Sequence, residues 1–185
     1  MITGEHKKHA GARAGLVAEW RSTLSADFAV NTRRVDRAVL AVWRLGQAAH
    51  ERPGRVARVV RRAYQVVDVV YVRSIMGAEL PGSVRVGPGI RLPHSGRGVV
   101  LHPHSRLGAG VTLYHRATLG VRGSEVAPTV GDGVYIGSGA AILGPIHVAD
   151  GAKVGANAVV IHDVPAGATA VGVPARILER SPADA

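Results

Sequence analysis

The sequence predicts a mainly β protein: a parallel β-helix of hexapeptide repeats behind a short N-terminal α-helical region. Three observations carry this. From Leu80 onward an aliphatic residue recurs every six positions. Glycine supplies 24 of the 185 residues without the three-residue period of collagen. Before residue 78 the apolar residues recur instead at three- and four-residue spacing.

Residues 1–13 are polar and are expected to form a disordered tail. The opening "MITGEHKKHAGARAG" has no apolar segment like that of a secretory signal. Residues 14–78 make up the helical region. "AGLVAEWRSTLSADF" is a short amphipathic segment. "NTRRVDRAVLAVWRLGQAAHE" sets Val35, Val39, Leu40, Val42 and Trp43 at helical spacing, with Asn31 or Thr32 as its cap. Pro53 and Gly54 break the chain. "RVARVVRRAYQVVDVVYVRSIMG" follows as a longer helix that Gly77 terminates. Its valines also suit a strand, but a run of more than about twenty residues is too long for one.

Residues 79–178 form the β-helix, and 179–185 a C-terminal tail. Leu80, Val86 and Leu92 begin the six-residue rhythm. Leu101, Leu107, Leu113 and Leu119 continue it after a slip of three residues. Val130, Ile136, Ile142, Val148, Val154 and Val160 resume it after a slip of five. Four positions after each anchor stands a small or aliphatic residue, among them Ile90, Ala117, Ala140 and Ala158. Each hexapeptide is one short strand and one turn, the anchor pointing into a prism whose stacked coils bury a continuous aliphatic column. Thirteen anchors at three per coil make a little over four coils.

Composition narrows the function. Hydrophobic residues reach 46% but aromatics only 4%, so the core must be aliphatic. Cysteine is absent, which excludes disulfides, thiolate metal sites and a thiol nucleophile, and fits a cytoplasmic protein. No apolar run is long enough to cross a membrane. The net charge of +10, from 23 Lys and Arg, suits nucleic acid, an anionic membrane or a phosphate-rich ligand. No nucleic-acid partner is expected, because neither interleaved aromatics nor a recognition motif accompanies the charge. Arginine-rich composition is also common in proteins of GC-rich genomes.

The two slips mark where the chain leaves the prism, and loops on a rigid scaffold carry function. The first contains "PHSGRG" and the second "GVRGSEVAPT". With "GPGIRLPHSGRGVVLHP", "GVTLYHRATLG", "VGDGVYIGSGAAILG" and "GAKVGANAVVIHDVPAGATAVGVPARIL", residues 77 to 178 resemble the serine acetyltransferases, and more closely their polysaccharide-associated branch. The resemblance implies a left-handed β-helix and acetyl-CoA as acyl donor, with no metal. It makes His94 the general base and Glu79, where the family usually has aspartate, its orienting carboxylate. It maps coenzyme A contacts onto Ser138, Lys153, Ala156 and Arg176. Arg97, His115 and Arg122 are acceptor-binding candidates.

The chain departs from the family at Pro93, where serine-specific members carry aspartate, and at Val126 and Ala127, where they carry an Arg-His pair. The resemblance makes the acceptor a small molecule with a hydroxyl group, with serine or a serine-like metabolite first as the family's main substrate; the departures point away from strict serine specificity, and a sugar hydroxyl or specialised metabolite is the alternative. A non-catalytic scaffold, its basic helices binding a membrane surface or a partner, is the rival of another class. His102 and His104 form an H-x-H pair that permits metal binding on a strand, although exposed polar positions explain them as well. The expected assembly is a homotrimer, with pairing of two trimers through residues 14 to 78 as the alternative.

Overall fold

The computed structural model describes residues 20–50 and 52–178; the tails expected at 1–13 and 179–185 lie outside the described residues. Helix α1 runs through residues 20–30, α2 is Arg34–His50 and α3 is Arg55–Val67. The chain then widens into a π-helical stretch, Asp68–Arg73, and turns at Gly77 with φ at +62°. The valine-rich run is thus helical, but its last turns are looser than an α-helix.

The β-helix has three faces of parallel strands. Face one carries β1 (Arg85–Val86), β3 (Arg106–Leu107), β6 (Thr129–Val130) and β9 (His147–Val148). Face two carries β4 (Thr112–Leu113), β7 (Tyr135–Ile136), β10 (Lys153–Val154) and β12 (Thr169–Gly172). Face three carries β2 (Val100–Leu101), β5 (Thr118–Gly120), β8 (Ala141–Leu143) and β11 (Val159–Val160). Strand β13 (Ala175–Leu178) folds back antiparallel on β12 and ends the stack.

Register measures the slips. A regular coil is 18 residues, as between Thr129 and His147 or Tyr135 and Lys153. Arg85 pairs with Arg106, 21 residues on, so the first slip adds three. Arg106 pairs with Thr129, 23 residues on, so the second adds five. A further irregularity had no signal in the repeat: Lys153 pairs with Thr169, a coil of 16. Twelve of the thirteen anchors are buried, and Val86 packs half-buried against them. Burying a Leu, Ile or Val side chain is worth about 1.5–3 kcal/mol, so the column is the main source of stability.

The helices are fastened to the first coil by buried polar groups. Asp27 accepts hydrogen bonds from the backbone N–H of Gly89 and Ile90 at 2.8 and 3.1 Å. It also holds Arg44 at 2.8 Å, with the two side chains 0% and 5% exposed. The Arg44 guanidinium donates further to Gln47 and to the carbonyls of Val86 and Gly87. Trp43 and Leu40 of α2 join the same apolar core as the coils. Gly46 of α2 is required by contact: a Cβ there would stand 2.6 Å from the Tyr64 ring. Asn31 does not cap α2, which begins at Arg34. Its amide bridges the Ile90 carbonyl and the Leu92 N–H instead, at 2.8 and 3.1 Å, because that buried backbone lacks other partners there.

Candidate active site

The corner between faces two and three repeats once per coil. Its turns take a left-handed residue at the same place each time: Gly98, Arg116, Gly139 and Asn157, with φ between +56° and +70°. The preceding residues are linked coil to coil by backbone bonds. Arg116 N–H donates to the Arg97 carbonyl, Gly139 to His115 and Asn157 to Ser138, at 2.8–3.0 Å. Arg97, His115, Ser138 and Ala156 therefore occupy one equivalent position on four successive coils. Four residues named from sequence for different roles fall into a single column.

The three extra residues of the first slip sit at the head of that column. Pro93–Gly96 form a short 3-10 turn in which His94 and Ser95 are left-handed, with φ of +58° and +61°. Non-glycine residues rarely adopt this conformation and pay about 1–3 kcal/mol for it. Two contacts hold it. Ser95 Oγ donates to Oδ1 of Asp36 at 2.6 Å, and both residues are buried. Asn31 fixes Leu92 just before the turn.

The His94 ring is exposed and meets the His115 ring edge-on, with centroids 4.9 Å apart and planes at 79°. His115 Nδ1 is buried without a hydrogen-bond partner, so its hydrogen-bonding capacity is unmet. A cavity of about 280 Å³ opens beside His94, bounded by Arg33, Tyr71, Ile75, Ser95 and Arg97. A neutral imidazole in such a cavity can accept a proton from a hydroxyl group as that oxygen attacks an electrophile.

The remaining predicted residues are dispersed. Glu79 is half-exposed. Its Oε2 lies 3.9 Å from Arg73 Nη1, and among the described residues it makes no hydrogen bond to His94. The Arg73 guanidinium is held above its ordinary pKa first by its hydrogen bond to Asp68, so it stays charged beside Glu79. Lys153 and Arg176 both project from face two, Lys153 next to Tyr135 and Arg176 opposite Val171. Burial, and then a hydrogen bond with Tyr114, push the Tyr135 phenol up. Arg122 lies in the second loop against Gly144, at the other edge of face three from His94. His102 and His104 touch edge-on at 5.2 Å.

Asp36, Ser95 and Arg33 were missed in the sequence. Asp36 reads there as an ordinary acidic residue in the first turn of a helix. Ser95 is the only one with a signal, standing next to the histidine in a glycine-rich slip.

Residues 127–162 match the family described as bacterial transferase hexapeptide (six repeats). The chain is 39% identical over 144 residues to the serine acetyltransferase of Helicobacter pylori, covering 76% of this chain and 80% of that one. It superposes on soybean serine acetyltransferase complexed with serine with a TM-score of 0.69 at 33% identity, over 86% of this chain and 69% of that one. A serine acetyltransferase in complex with CoA gives 0.67 at 30% identity, over 80% of this chain and 58% of that one.

The protein is accordingly a hexapeptide-repeat acyltransferase with the left-handed β-helix. Within that class, the chain belongs to the serine acetyltransferase family.

Proposed function

We propose that this protein transfers the acetyl group of acetyl-CoA to the hydroxyl of L-serine or a serine-like metabolite, with His94 as general base. The observation that carries the reading is the position of His94: in a cavity at the head of the corner column that also holds His115, Ser138 and Ala156. The imidazole takes the hydroxyl proton as the oxygen attacks the thioester carbonyl. The tetrahedral intermediate collapses with cleavage of the C–S bond, and the imidazolium returns the proton to the departing thiolate. Acid–base assistance of this kind is worth roughly 10²–10⁴-fold. With no cysteine in the chain, transfer is direct from donor to acceptor.

Ser138 and Ala156 are small enough for the pantetheine arm to lie along the corner, and Lys153 and Arg176 are the cations for its phosphates. Glu79 serves as the orienting carboxylate once its side chain leaves Arg73. That contact, between groups 50% and 46% exposed, is worth only about 0–1 kcal/mol.

The working unit is a homotrimer in the cytoplasm. Face three supports the assembly. Below Glu79, which heads the column beside Val100, its outward residues Val100, Thr118, Ala141 and Val159 are half-buried and uncharged, whereas the other faces present Arg85, Arg106 or Lys153. Packing on face three brings the loop carrying Arg122 in one chain toward the corner of another. Val59, Val66 and Val70, 67%, 63% and 59% exposed after the turn at Gly54, offer a surface for pairing trimers. Among the described residues no helix is long and apolar enough to cross a membrane.

The test is release of CoA from acetyl-CoA with serine, homoserine and nucleotide sugars side by side. Turnover with serine is the expected result. A folded protein that releases no CoA with any hydroxyl acceptor would overturn the reading.

A further inference from the structure

We propose that the cavity between the helices and face one is a second ligand site, where Arg85 and Arg106 take a small phosphorylated molecule. The proposal goes beyond acetyl transfer and does not depend on it.

This cavity measures about 420 Å³, against about 280 Å³ beside His94, and the two share no residue. Its walls come from α1 through Trp20, from α2 through Gln47 and Ala48, and from strands β1 and β3. Arg85 and Arg106 are register partners on those adjacent strands, so their side chains leave the same face side by side. Both are exposed, and neither makes an ion pair or a side-chain hydrogen bond among the described residues. Like charges directly opposite on neighbouring strands repel. Arg44 and Arg52 line the same cavity, and among the described residues no carboxylate does. Asp27 offsets the Arg44 charge at 2.8 Å, but no described acid pairs with Arg85 or Arg106.

Two guanidinium groups call for a dianion. A phosphoryl group carries about two negative charges and three acceptor oxygens, whereas a carboxylate brings one charge. The rest of the wall is apolar, with Ala48, Val84 and Leu107 beside the Trp20 ring, so the molecule carries an apolar body as well as its charge. Trp20 Nε1 is buried without a hydrogen-bond partner, a donor left unmet at this wall. A small turn of the ring would bring that N–H to a phosphoryl oxygen. Because helices and coils share the wall, an occupant ties one to the other.

The chain has two tryptophans, and Trp43 is sealed in the core, so a change in indole fluorescence reports Trp20. Titration with phenyl phosphate should change it saturably. Inorganic phosphate, which lacks the apolar body, should bind about tenfold more weakly. Arg85→Ala and Arg106→Ala should each weaken phenyl phosphate about tenfold. Both side chains lie outside the core, so the variants should fold, as thermal melts check. Phenyl phosphate should raise the melting midpoint of the wild type and leave that of the double variant unchanged. Acetyl-CoA affinity, measured by calorimetry, should be the same in the double variant and in the presence of phenyl phosphate. No saturable response in the wild type, or equal phenyl phosphate affinity in the double variant, would overturn the site. Benzoate binding as tightly as phenyl phosphate would overturn the phosphoryl assignment. Competition between phenyl phosphate and acetyl-CoA would make the cavity part of the donor site and overturn its independence.

Discussion

Ser95 donates its hydroxyl to Asp36 at 2.6 Å, tying the residue after His94 to the first turn of α2. The bond crosses from the β-helix to the helical region and is buried at both ends. A carboxylate there also meets the positive end of the helix dipole. The helices are thus a brace for the turn that presents the histidine.

That relationship predicts how the brace fails. Ser95→Ala keeps the strained backbone but removes the bond, and should lower kcat about tenfold with KM for acetyl-CoA unchanged. Asp36→Asn retains an acceptor oxygen and should stay within a few-fold of the wild type. Steady-state kinetics of the two variants checks it. Wild-type kcat in Ser95→Ala would show that the bond does not position His94.

The coil architecture was legible because its physics is periodic: a prism admits one aliphatic anchor per side, so Leu107 and Leu113 announce themselves six residues apart. The two slips were legible as breaks in that rhythm. The 16-residue coil ending at Thr169 was not, because Val160 and Val164 keep the local spacing while the register shifts beneath them. The column of Arg97, His115, Ser138 and Ala156 follows from register and could have been counted once the slips were placed. The roles of Asn31 and Asp36 could not. A polar side chain near a helix start reads as a cap, and only the packing of α1 and α2 on the first coil shows that these two serve its backbone and turn.

The buried pair of Asp27 and Arg44 governs stability more than catalysis. Arg44→Met leaves the Asp27 charge buried without compensation, which should cost about 3–5 kcal/mol. The double variant with Asp27→Asn should lose less than the sum of the two single changes. Urea denaturation measures both. A loss below about 1 kcal/mol in Arg44→Met would mean that the clamp does not hold the helices.

Face three carries the assembly prediction. Ala141→Arg places a charge in the middle of the uncharged run Val100, Thr118, Ala141 and Val159 and should break the trimer, with loss of turnover. Light scattering should give about three times the 19.2 kDa of one chain for the wild type. An active preparation at the mass of a single chain would defeat the shared interface. Mixed reassembly of inactive His94→Ala and Lys153→Glu chains should restore part of the activity if sites are shared between chains, and none if each chain is complete.

The central claim is that His94 acts as the base in acetyl transfer, and turnover of His94→Ala with serine and acetyl-CoA tests it most directly. The imidazole is exposed and braces nothing, so the variant should fold and bind CoA with nearly unchanged affinity while kcat falls by about two decades or more. A His94→Ala protein that acetylates serine at the wild-type rate would contradict the account.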